Sequence, residues 1–397
     1  MEQICPANQC TGCATCFNVC PVQCITMKEN EEGFLYPYID HSKCMNCGLC
    51  QRKCPAITEM RFQPAEFYMA WHNDMDILKS SSSGGVFSAL AHYVLRRNGV
   101  VFGAVMDQTT REVFHTYIED ESQLQKLRSS KYYQSNVKDI YKQVKDHLSK
   151  NEYVLFTGTA CQVAGLYSYL GSSDTERLVT ADVLCHGVAS KRVVDEYIKS
   201  KEKQFKKKIR KLSFRIKDMK VGWYSGGGTR MKIDFMDDTS YVSEKGYDTF
   251  FVGFNRNDFL RESCYSCKYC GTERIADFTM GDFWGCNFEE LPPEQKNLGV
   301  SLLLCNSQKA QMILEELKEE MTIRSIAPEK AIPYNRALRE PQYRPSKRDK
   351  FFESMNRRGF DPTVKAFHPE RFIRHGIKVT LKKVLPPSIA KKIIKSM

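Results

Sequence analysis

The feature that most constrains this chain is a cysteine pattern that occurs twice within its first sixty residues. The segments CTGCATCFNVCP and CMNCGLCQRKCP both space four cysteines by two, two and three residues, and a proline follows each fourth cysteine. The two runs are Cys10, Cys13, Cys16 and Cys20, and then Cys44, Cys47, Cys50 and Cys54. This spacing is typical of bacterial [4Fe-4S] ligation, in which the fourth cysteine of a run binds the other cluster.

The crossed pattern predicts two ligand sets. The first cluster is expected on Cys10, Cys13, Cys16 and Cys54, and the second on Cys44, Cys47, Cys50 and Cys20. A zinc module is the alternative, but a zinc site needs only two C-x2-C pairs and leaves the third and fourth cysteines of each run unexplained. We therefore predict two [4Fe-4S] clusters. Cys5 and Cys24 fall outside the pattern and are expected to be packing thiols.

The composition favours metal ligation over disulfides for the remaining cysteines. The chain has 397 residues and 17 cysteines, and its start, MEQICPANQC, does not resemble a signal peptide. No segment approaches the ~20 consecutive apolar residues that a membrane span requires. Because the cytosol keeps thiols reduced, a cytoplasmic protein with metal sites is expected. The length suggests two or three domains.

The formal net charge of +12 is concentrated near the C-terminus. Residues 341–397 contain 15 Lys or Arg against 4 Asp or Glu. The segment RFIRHGIKVTLKKVLPPSIAKKIIKSM spaces apolar residues among lysines, and such basic amphipathic segments can rest on anionic membranes. A solvated terminal helix is the favoured alternative. Nucleic acid is not an expected partner, because the charge is not interleaved with a known reading motif.

The central region is predicted to be mixed α/β. The segment YVLFTGTACQVAGLYSYL predicts a strand at 153–157, a turn and a helix, and a second strand at 178–184 precedes a helix from about Ser190. This order implies parallel strands joined by a right-handed crossover. Residues 211–243 alternate apolar and polar side chains and predict an antiparallel meander with a turn at Asp237.

A third thiolate site is predicted at the edge of this sheet. Cys161 and Cys185 each follow the end of a predicted strand, where ligands of such sheets gather. The segment CYSCKYC adds Cys264 and Cys267, which would complete a four-thiolate site. Cys270 competes for the same role, because CYSCKYC also matches the first three positions of a ferredoxin run. A zinc site and inert buried cysteines are the alternatives.

Two further segments are candidates for phosphate binding. In SSSSGGVFSAL, small hydroxyls and glycines precede a predicted helix, and free amides at a helix N-terminus bind phosphate. A capped flexible turn is the alternative there, and a solvated loop is the alternative for SKYYQS. The candidate cofactor-binding residues are Ser82, Ser83, Gly84 and Gly85, then Ser130, Lys131, Tyr132, Gln134 and Ser135, and finally Gly158, Thr159 and Gln162.

The motifs together resemble a known family. The segments SSSGGVFSAL, SKYYQS, FTGTACQVAGL, DVLCHGVAS, CYSCKY and ADFTMGDFWG, in this order, resemble the coenzyme F420 hydrogenase/dehydrogenase beta-subunit family over about residues 66–330. The N-terminal segment resembles the two-cluster bacterial ferredoxins. The resemblance implies FAD bound by Ser82–Gly85 and Ser130–Tyr132, with a four-iron cluster on Cys161, Cys185, Cys264 and Cys267. Cys270 departs from the family pattern, which leaves its role open.

The predicted architecture is an α+β, ferredoxin-like 2[4Fe-4S] domain at 1–62, a mixed α/β flavin-binding domain at 63–335, and a basic helical C-terminal tail at 336–397. The expected function is an oxidoreductase that passes single electrons through [4Fe-4S] clusters to FAD, for two-electron hydride chemistry on an organic acceptor. That acceptor is either similar to coenzyme F420 or a biosynthetic intermediate, for example of a polysaccharide pathway.

Catalytic residues and partners are less constrained. His186 is the candidate proton donor, although a structural role is favoured for a histidine in a turn. A redox partner protein or ferredoxin-type carrier is expected, and the basic segment KEKQFKKKIRKL offers one surface for an acidic carrier. The competing hypothesis for the whole chain is a non-catalytic electron-transfer subunit that serves a partner enzyme.

Overall fold

The computed structural model describes residues 3–217, 223, 230–243 and 246–385. The N-terminal cysteine runs form one small unit with two similar halves. It contains helix α1 (Thr15–Val19), strands β1 (Ile25–Glu29) and β2 (Leu35–Ile39), which pair antiparallel, and helix α2 (Leu49–Arg52). Each helix starts after a residue in the left-handed region, Ala14 or Gly48. The duplicated sequence thus gives a duplicated turn-and-helix structure.

The later strands build two further sheets. In chain order they are β3 (Glu66–His72), β4 (Val100–Met106), β5 (Val113–Ile118), β6 (Val154–Thr159), β7 (Leu178–Val183), β8 (Ile209–Ile216), β9 (Arg230–Phe235), β10 (Ser240–Val242), β11 (Phe278–Asp282), β12 (Ser301–Cys305) and β13 (Met321–Ser325). Within the described residues, eight strands form one mixed sheet in the order β13-β3-β12-β11-β7-β6-β4-β5. Strands β4, β6, β7 and β11 are parallel to one another. This confirms the mixed α/β prediction.

The later helices flank these sheets or follow them. They are α3 (Met75–Ser80), α4 (Val86–Leu95), α5 (Ile140–Ser149), α6 (Ala160–Leu170), α7 (Lys191–Phe205), α8 (Thr249–Asn255), α9 (Gln295–Leu298), α10 (Gln308–Leu317), α11 (Arg348–Arg358), α12 (Phe360–Phe367) and α13 (Pro369–Val384). Helix α7 begins where predicted, because the Ser190 hydroxyl accepts the Val193 N–H. Thr159 and Gln162 form a capping box at the start of α6.

One predicted strand boundary differs from the structure, and the predicted meander agrees with it. The strand predicted at 153–157 continues to Thr159, because Gly158 and Thr159 pair with Asp182 and Val183 of β7 instead of forming a turn. The predicted meander is confirmed: β8, β9 and β10 are antiparallel, and Asp238 adopts a left-handed turn conformation. Residues 218–222 and 224–229 of that prediction lie outside the described residues.

The predicted C-terminal extension is partly a component of the core. Phe351 of α11 and Phe360 of α12 are fully buried in the same hydrophobic cluster as Tyr197 of α7. Lys201 and Asp361 form a buried ion pair across this contact, at 3.0 Å. Helices α11 and α12 are therefore packed against the body of the protein, while α13 exposes much of its surface. The Pro386–Pro387 interruption lies outside the described residues.

Candidate cofactor and metal site

Each predicted ligand set of the N-terminal unit surrounds its own small cavity. Cys10, Cys13, Cys16 and Cys54 line one cavity, and Cys20, Cys44, Cys47 and Cys50 line the other. The fourth cysteine of each run therefore lies with the first three of the other run. Cys5 joins the first cavity and Cys24 the second, with the Cys20 and Cys24 sulfurs 3.5 Å apart. The two supposed packing thiols thus stand beside the predicted ligands.

The chemistry of the first cavity suits a thiolate-bound metal cluster. The Cys5 thiol donates to the sulfurs of Cys10 and Cys54, and this contact is the main reason that the pKa of Cys10 falls to about 6 and that of Cys54 to about 7. Thiolates are the ligands of iron–sulfur clusters, and a low pKa favours them. Burial raises the pKa of Cys13 and Cys16, so the fit to the predicted cluster rests on four sulfurs that line one cavity and not on the pKa values.

A much larger cavity, of about 500 Å³, opens at the carboxyl ends of β6 and β7. Nearly every residue predicted to bind a cofactor lines it. These are Ser82, Ser83, Gly85, Ser130, Lys131, Tyr132, Gln134, Ser135, Gly158, Thr159 and Gln162. Gly84 instead packs behind the loop, where its N–H donates to the Ser301 hydroxyl and its carbonyl accepts the His72 N–H. The structure thus brings the three predicted segments to one place.

One end of the cavity has the groups that bind phosphate. The N-terminus of α4 follows the serine–glycine turn, and the hydroxyls of Ser82 and Ser130 are 3.4 Å apart. Arg128 also lines the cavity, and its Nε donates to Ser88 in the first turn of α4. Hydroxyls, a helix N-terminus and a guanidinium therefore converge. The sequence prediction missed Arg128, although a cation two residues before Ser130 was a usable signal.

Lys131 and Tyr132 have more specific surroundings than a solvated loop would give. The Lys131 Nζ donates to the carbonyls of Leu127 and Arg128, and burial lowers its pKa to about 7. Two of its three possible donors are thus used within the loop. The Tyr132 ring meets the rings of Phe251 and Phe254 edge-on, with centroids 5.2 and 5.3 Å away. Tyr132 is therefore a fixed aromatic wall of the cavity.

His115 is a cavity residue that the sequence prediction missed. Its Nδ1 accepts from the Ser135 hydroxyl at 2.8 Å, and its Nε2–H donates to the Thr157 carbonyl at 3.0 Å. Burial lowers the pKa of His115 to about 4, so the ring is neutral near pH 7. A histidine on a half-polar strand gives no sequence signal for such a role. Only the fold places it against β6.

Two of the four cysteines predicted to form a third site line the large cavity. Cys161 and Cys185 both line the cavity, as their positions after β6 and β7 predicted. Burial raises the pKa of Cys185, and the nearby thiols of Cys264, Cys161 and Cys267 raise it further. A direct contact with the Cys270 thiol lowers the pKa of Cys267 to about 7. The four predicted ligands lie together, and Cys270 lies beside them.

A buried ion pair fixes the cysteine-rich loop at this edge. The Arg274 guanidinium lies 3.0 Å from the Asp182 carboxylate of β7, and its Nη1 donates to the Tyr269 carbonyl. Its Nε donates to the Thr279 hydroxyl of β11. Because Arg274 binds both strands and the loop, it holds the 264–270 segment next to the ends of β7 and β11.

His186 also lines the cavity, next to Cys185. Its Nε2–H donates to the Phe254 carbonyl at 3.1 Å, and its ring packs on that of Phe254 at 4.8 Å. Burial lowers its pKa. Since this proton is held by a carbonyl, the structural role favoured for His186 agrees with its contacts, and proton donation stays a prediction.

The N-terminal unit reaches the large cavity directly. Thr11, which lies between Cys10 and Cys13, lines the large cavity, and its carbonyl accepts from the Gln134 side chain at 3.2 Å. The buried Arg261 donates to the Cys10 carbonyl at 2.7 Å and to the Gln134 side chain at 2.8 Å. Its guanidinium lies 4.2 Å from the Tyr36 ring. Arg261 therefore joins the first cysteine cavity to the large cavity.

The lining of the large cavity also includes charged and aromatic side chains from β8 and the end of β11. Arg215 of β8 donates to the Asp282 carboxylate of β11 through its two terminal nitrogens, Nη1 and Nη2, at 2.5 and 2.8 Å. Trp284 also lines the cavity and stacks on Trp223, with centroids 5.2 Å apart. Nothing in the sequence pairs Arg215 with Asp282, which are far apart along the chain.

These features define the class. A duplicated [4Fe-4S]-type cysteine framework joined to a mixed α/β domain with a cavity is that of an iron–sulfur electron-transfer protein. The model of the 4Fe-4S dicluster domain matches residues 9–57. The models for the N-terminal and C-terminal parts of the coenzyme F420 hydrogenase/dehydrogenase beta subunit match residues 67–142 and 151–331. The chain belongs to this beta-subunit family and has an N-terminal ferredoxin domain.

Individual relatives agree with both assignments. Over 171 residues the chain is 27% identical to the coenzyme F420-dependent sulfite reductase of Methanocaldococcus jannaschii, covering 42% of this chain and 26% of that protein. The chain thus spans about a quarter of that relative. It is 38% identical over 68 residues to a 7Fe ferredoxin of Hydrogenibacillus schlegelii, covering 17% of this chain and 81% of the ferredoxin.

A solved structure is also similar. It is a chain of the F420-reducing [NiFe] hydrogenase complex from Methanosarcina barkeri, with a TM-score of 0.48 and 15% identity, over 75% of this chain and 92% of that chain.

Proposed function

We propose that this protein is an iron–sulfur flavoprotein oxidoreductase. FAD would occupy the 500 Å³ cavity, and a third [4Fe-4S] cluster would be held by Cys161, Cys185, Cys264 and Cys267. The observation that carries the proposal is that the phosphate-binding groups and the Cys161–Cys185 edge line the same cavity. Cavities of this size suit cofactors and small ligands.

The residues of the cavity divide this work by their chemistry. Ser82, Ser130, Arg128 and the α4 N-terminus would hold the diphosphate. Tyr132 and its phenylalanine neighbours would pack against an apolar ring face. Iron–sulfur clusters pass electrons singly, whereas a flavin stores two and exchanges a hydride. Gln134 and Arg261 keep the first cysteine cavity against this site.

The acceptor would be a small organic molecule that undergoes two-electron reduction or oxidation. The family and the name of the sulfite reductase relative support a coenzyme F420-like acceptor. A biosynthetic intermediate, such as one of a polysaccharide pathway, is the other candidate. In either case the electrons would come from, or go to, a redox partner protein of the ferredoxin type, as expected for a chain with its own ferredoxin domain.

Cofactor content tests the proposal. Protein purified without oxygen should contain one FAD and about twelve iron atoms per chain, the content of three four-iron clusters. Arg128→Ala combined with Ser130→Ala should lose most of the FAD and keep all of the iron. Cys161→Ser should lose about four iron atoms. Cys305→Ser, which removes a buried thiol of the β-sheet core, should change neither content.

The results separate the competing functions. Full iron content with no flavin at all would reject the flavoprotein and favour a non-catalytic electron-transfer subunit. About eight iron atoms per chain, unchanged by Cys161→Ser, would reject the third cluster. Cys270→Ser tests the fifth cysteine of this region. If Cys267→Ser loses about four iron atoms and Cys270→Ser loses none, Cys270 is not a ligand. Trial of acceptors against the reduced protein would then identify the substrate.

A further inference from the structure

The two cavities of the ferredoxin domain differ in their access to solvent. Cys10, Cys13, Cys16 and Cys54 are all buried, and the loop that carries them is packed against the central domain. Thr15 donates to the Gly165 carbonyl of α6, and Arg261 covers Cys10. In the second set, Cys47 is exposed and Cys44 and Cys50 are half-buried. The second cavity is therefore the one that another protein can approach.

The surface around the second cavity has an apolar centre and basic neighbours. Val22 and Met45 line the cavity, and both side chains are exposed. Lys43 is exposed and has a 3.4 Å ion pair with Asp40, while the exposed Arg52 donates to the Cys47 carbonyl. We name the surface formed by Val22, Lys43, Met45, Cys47 and Arg52 the carrier face. Methionine and arginine are enriched at protein interfaces, and basic residues attract acidic partners.

The other basic surface suggested by the sequence, KEKQFKKKIRKL, is less suited to this role. Lys201 is buried against Asp361. Lys207 pairs with Asp237 at 2.8 Å, and Lys208 pairs with Glu202 at 2.7 Å. Lys43 of the carrier face also has an acidic partner, so position and not charge separates the two surfaces. The segment KEKQFKKKIRKL contributes no residue to the cysteine cavities, whereas the carrier face surrounds one of them.

We infer that the carrier face is the docking surface for an acidic one-electron carrier protein. The inference rests on the proposed electron-transfer function and adds the place and the charge of the partner. One electron would pass between the carrier and this chain at the exposed Cys47 side, with no bond made or broken. The apolar side chains of Val22 and Met45 would be covered in the complex, and Lys43 and Arg52 would face carboxylates.

Binding of an acidic bacterial 2[4Fe-4S] ferredoxin tests this inference. The full-length protein and the ferredoxin, both oxidised and without oxygen, are titrated by calorimetry at low ionic strength. The double variant Lys43→Glu/Met45→Glu should raise the Kd by about tenfold or more. Val22→Glu, which enters the same face from the other cysteine run, should also raise it. Raising the salt from about 20 to about 300 mM should weaken binding by the wild type, because the Debye length shortens.

The matched control is Lys199→Glu/Met312→Glu. Lys199 is 69% exposed and pairs with an acid three residues away, as Lys43, which is 68% exposed, does. Met312 is 68% exposed against 62% for Met45. The control should bind the ferredoxin with the wild-type Kd. Iron content of each variant shows whether the clusters are intact, and Val22→Glu keeps the test open if Lys43→Glu/Met45→Glu loses iron.

Equal Kd values for the carrier-face variants and the control would overturn the inference, as would binding that salt does not weaken. This outcome is distinct from failure of the proposed function. FAD and third-cluster content are measured on the purified chain alone, whereas docking is read as affinity at the ferredoxin domain. A chain without FAD can still show the predicted change in affinity.

Discussion

His115 shows how the cavity keeps a titratable side chain neutral. Both ring nitrogens have fixed partners: Nδ1 accepts from Ser135 and Nε2–H donates to the Thr157 carbonyl. Protonation would leave Nδ1–H facing a hydroxyl that must reverse its direction. The ring is buried, and the cation of Lys131 disfavours a second positive charge. Desolvation is the larger of these effects.

This environment predicts a pH-dependent stability. The pKa of His115 is about 4 in the folded protein, against an ordinary value near 6.5 in an unfolded chain. Above pH 6.5 both states are neutral and the contribution to stability is complete. As the pH falls from about 6.5 to about 4, the unfolded state takes up the proton first, and the free energy of unfolding decreases by about 3 kcal/mol. Denaturant unfolding over this pH range measures the slope.

His115→Gln supplies the comparison, because its amide N–H can still donate to the Thr157 carbonyl. The variant should have a smaller decrease in stability between pH 6.5 and pH 4 than the wild type. His41→Gln, at an exposed position, should keep the wild-type slope. If the wild type and His115→Gln have the same slope, His115 is not the buried neutral group described above.

At the scale of elements, α6 connects the ferredoxin domain to the large cavity. Its first turn carries Cys161, and its middle contacts the first cysteine run at Gly165. A Cβ at Gly165 would lie 2.7 Å from the Thr15 hydroxyl, 2.6 Å from the Tyr141 hydroxyl and 3.1 Å from the Cys13 Cβ. The absence of a side chain lets α1 approach α6 this closely, so one helix positions Cys13 and Cys161 as neighbours.

Gly165→Ala should therefore destabilise the protein, although alanine is the better helix former. Propensity alone favours alanine by about 1 kcal/mol, but overpacking at a rigid contact costs about 1–3 kcal/mol. Gly376→Ala is the matched control, since a Cβ there meets nothing within 4 Å and should stabilise α13 slightly. Thermal unfolding of both variants, with iron content, measures the difference. A Gly165→Ala protein as stable as Gly376→Ala would contradict the close contact.

The same elements show what sequence reasoning can reach. Strand β6, strand β7 and the meander follow from local periodicity, and the common edge for Cys161 and Cys185 follows from the rule that parallel strands share a ligand-binding end. The proximity of Cys161 to Cys264 could be predicted from the sequence, because the positions and spacing of cysteines indicate metal ligation more specifically than other residue types do. Such local signals predicted two central strands of the large sheet, the separate meander and most of the residues that line the cavity.

The remainder depends on contacts between distant segments of ordinary composition. Arg348 is an example: it lies in the segment predicted to be a basic C-terminal tail, yet it is buried against Glu32 of the ferredoxin domain. Arg261 and the pair of Arg215 with Asp282 are similar. The sequence around an arginine does not show whether its side chain is exposed on the surface or buried in a network of hydrogen bonds. Only the packing of the whole chain separates these two cases.

At the scale of the whole molecule, the sites follow one another from solvent to interior. The second cysteine cavity is open at Cys47, and the first is buried behind it in the same domain. Thr11 and Arg261 join the first cavity to the large one, which Arg215 also lines. If the proposed function holds, this order would give a one-electron partner and a small organic acceptor separate places on the protein.

Helix α13 lies outside this succession and has an exposed apolar face. Ile373, Ile377 and Val384 are all exposed and recur at helical spacing. The other side of the helix is attached to the body: Arg371 donates to the Gly246 carbonyl, and His375 stacks on Tyr247 at 4.0 Å. Within the described part of the chain, no helix is long and apolar enough to span a membrane.

The sequence favoured a solvated helix here, but the exposed isoleucines of α13 beside basic residues now favour lipid contact, and they predict binding to anionic vesicles and not to neutral ones. Burial of Ile373 and Ile377 in the lipid interface, with Arg374 near the headgroups, combines apolar and electrostatic attraction. Ile373→Glu/Ile377→Glu should lower the bound fraction at limiting lipid by about a hundredfold or more in co-sedimentation, because the two isoleucines together contribute about 3–6 kcal/mol when fully buried. Met312→Glu, an exposed position on α10, should bind as the wild type does. Equal sedimentation of the isoleucine variant would show that α13 is a solvated helix, since an attached helix that binds lipid cannot do so with two carboxylates on its apolar face.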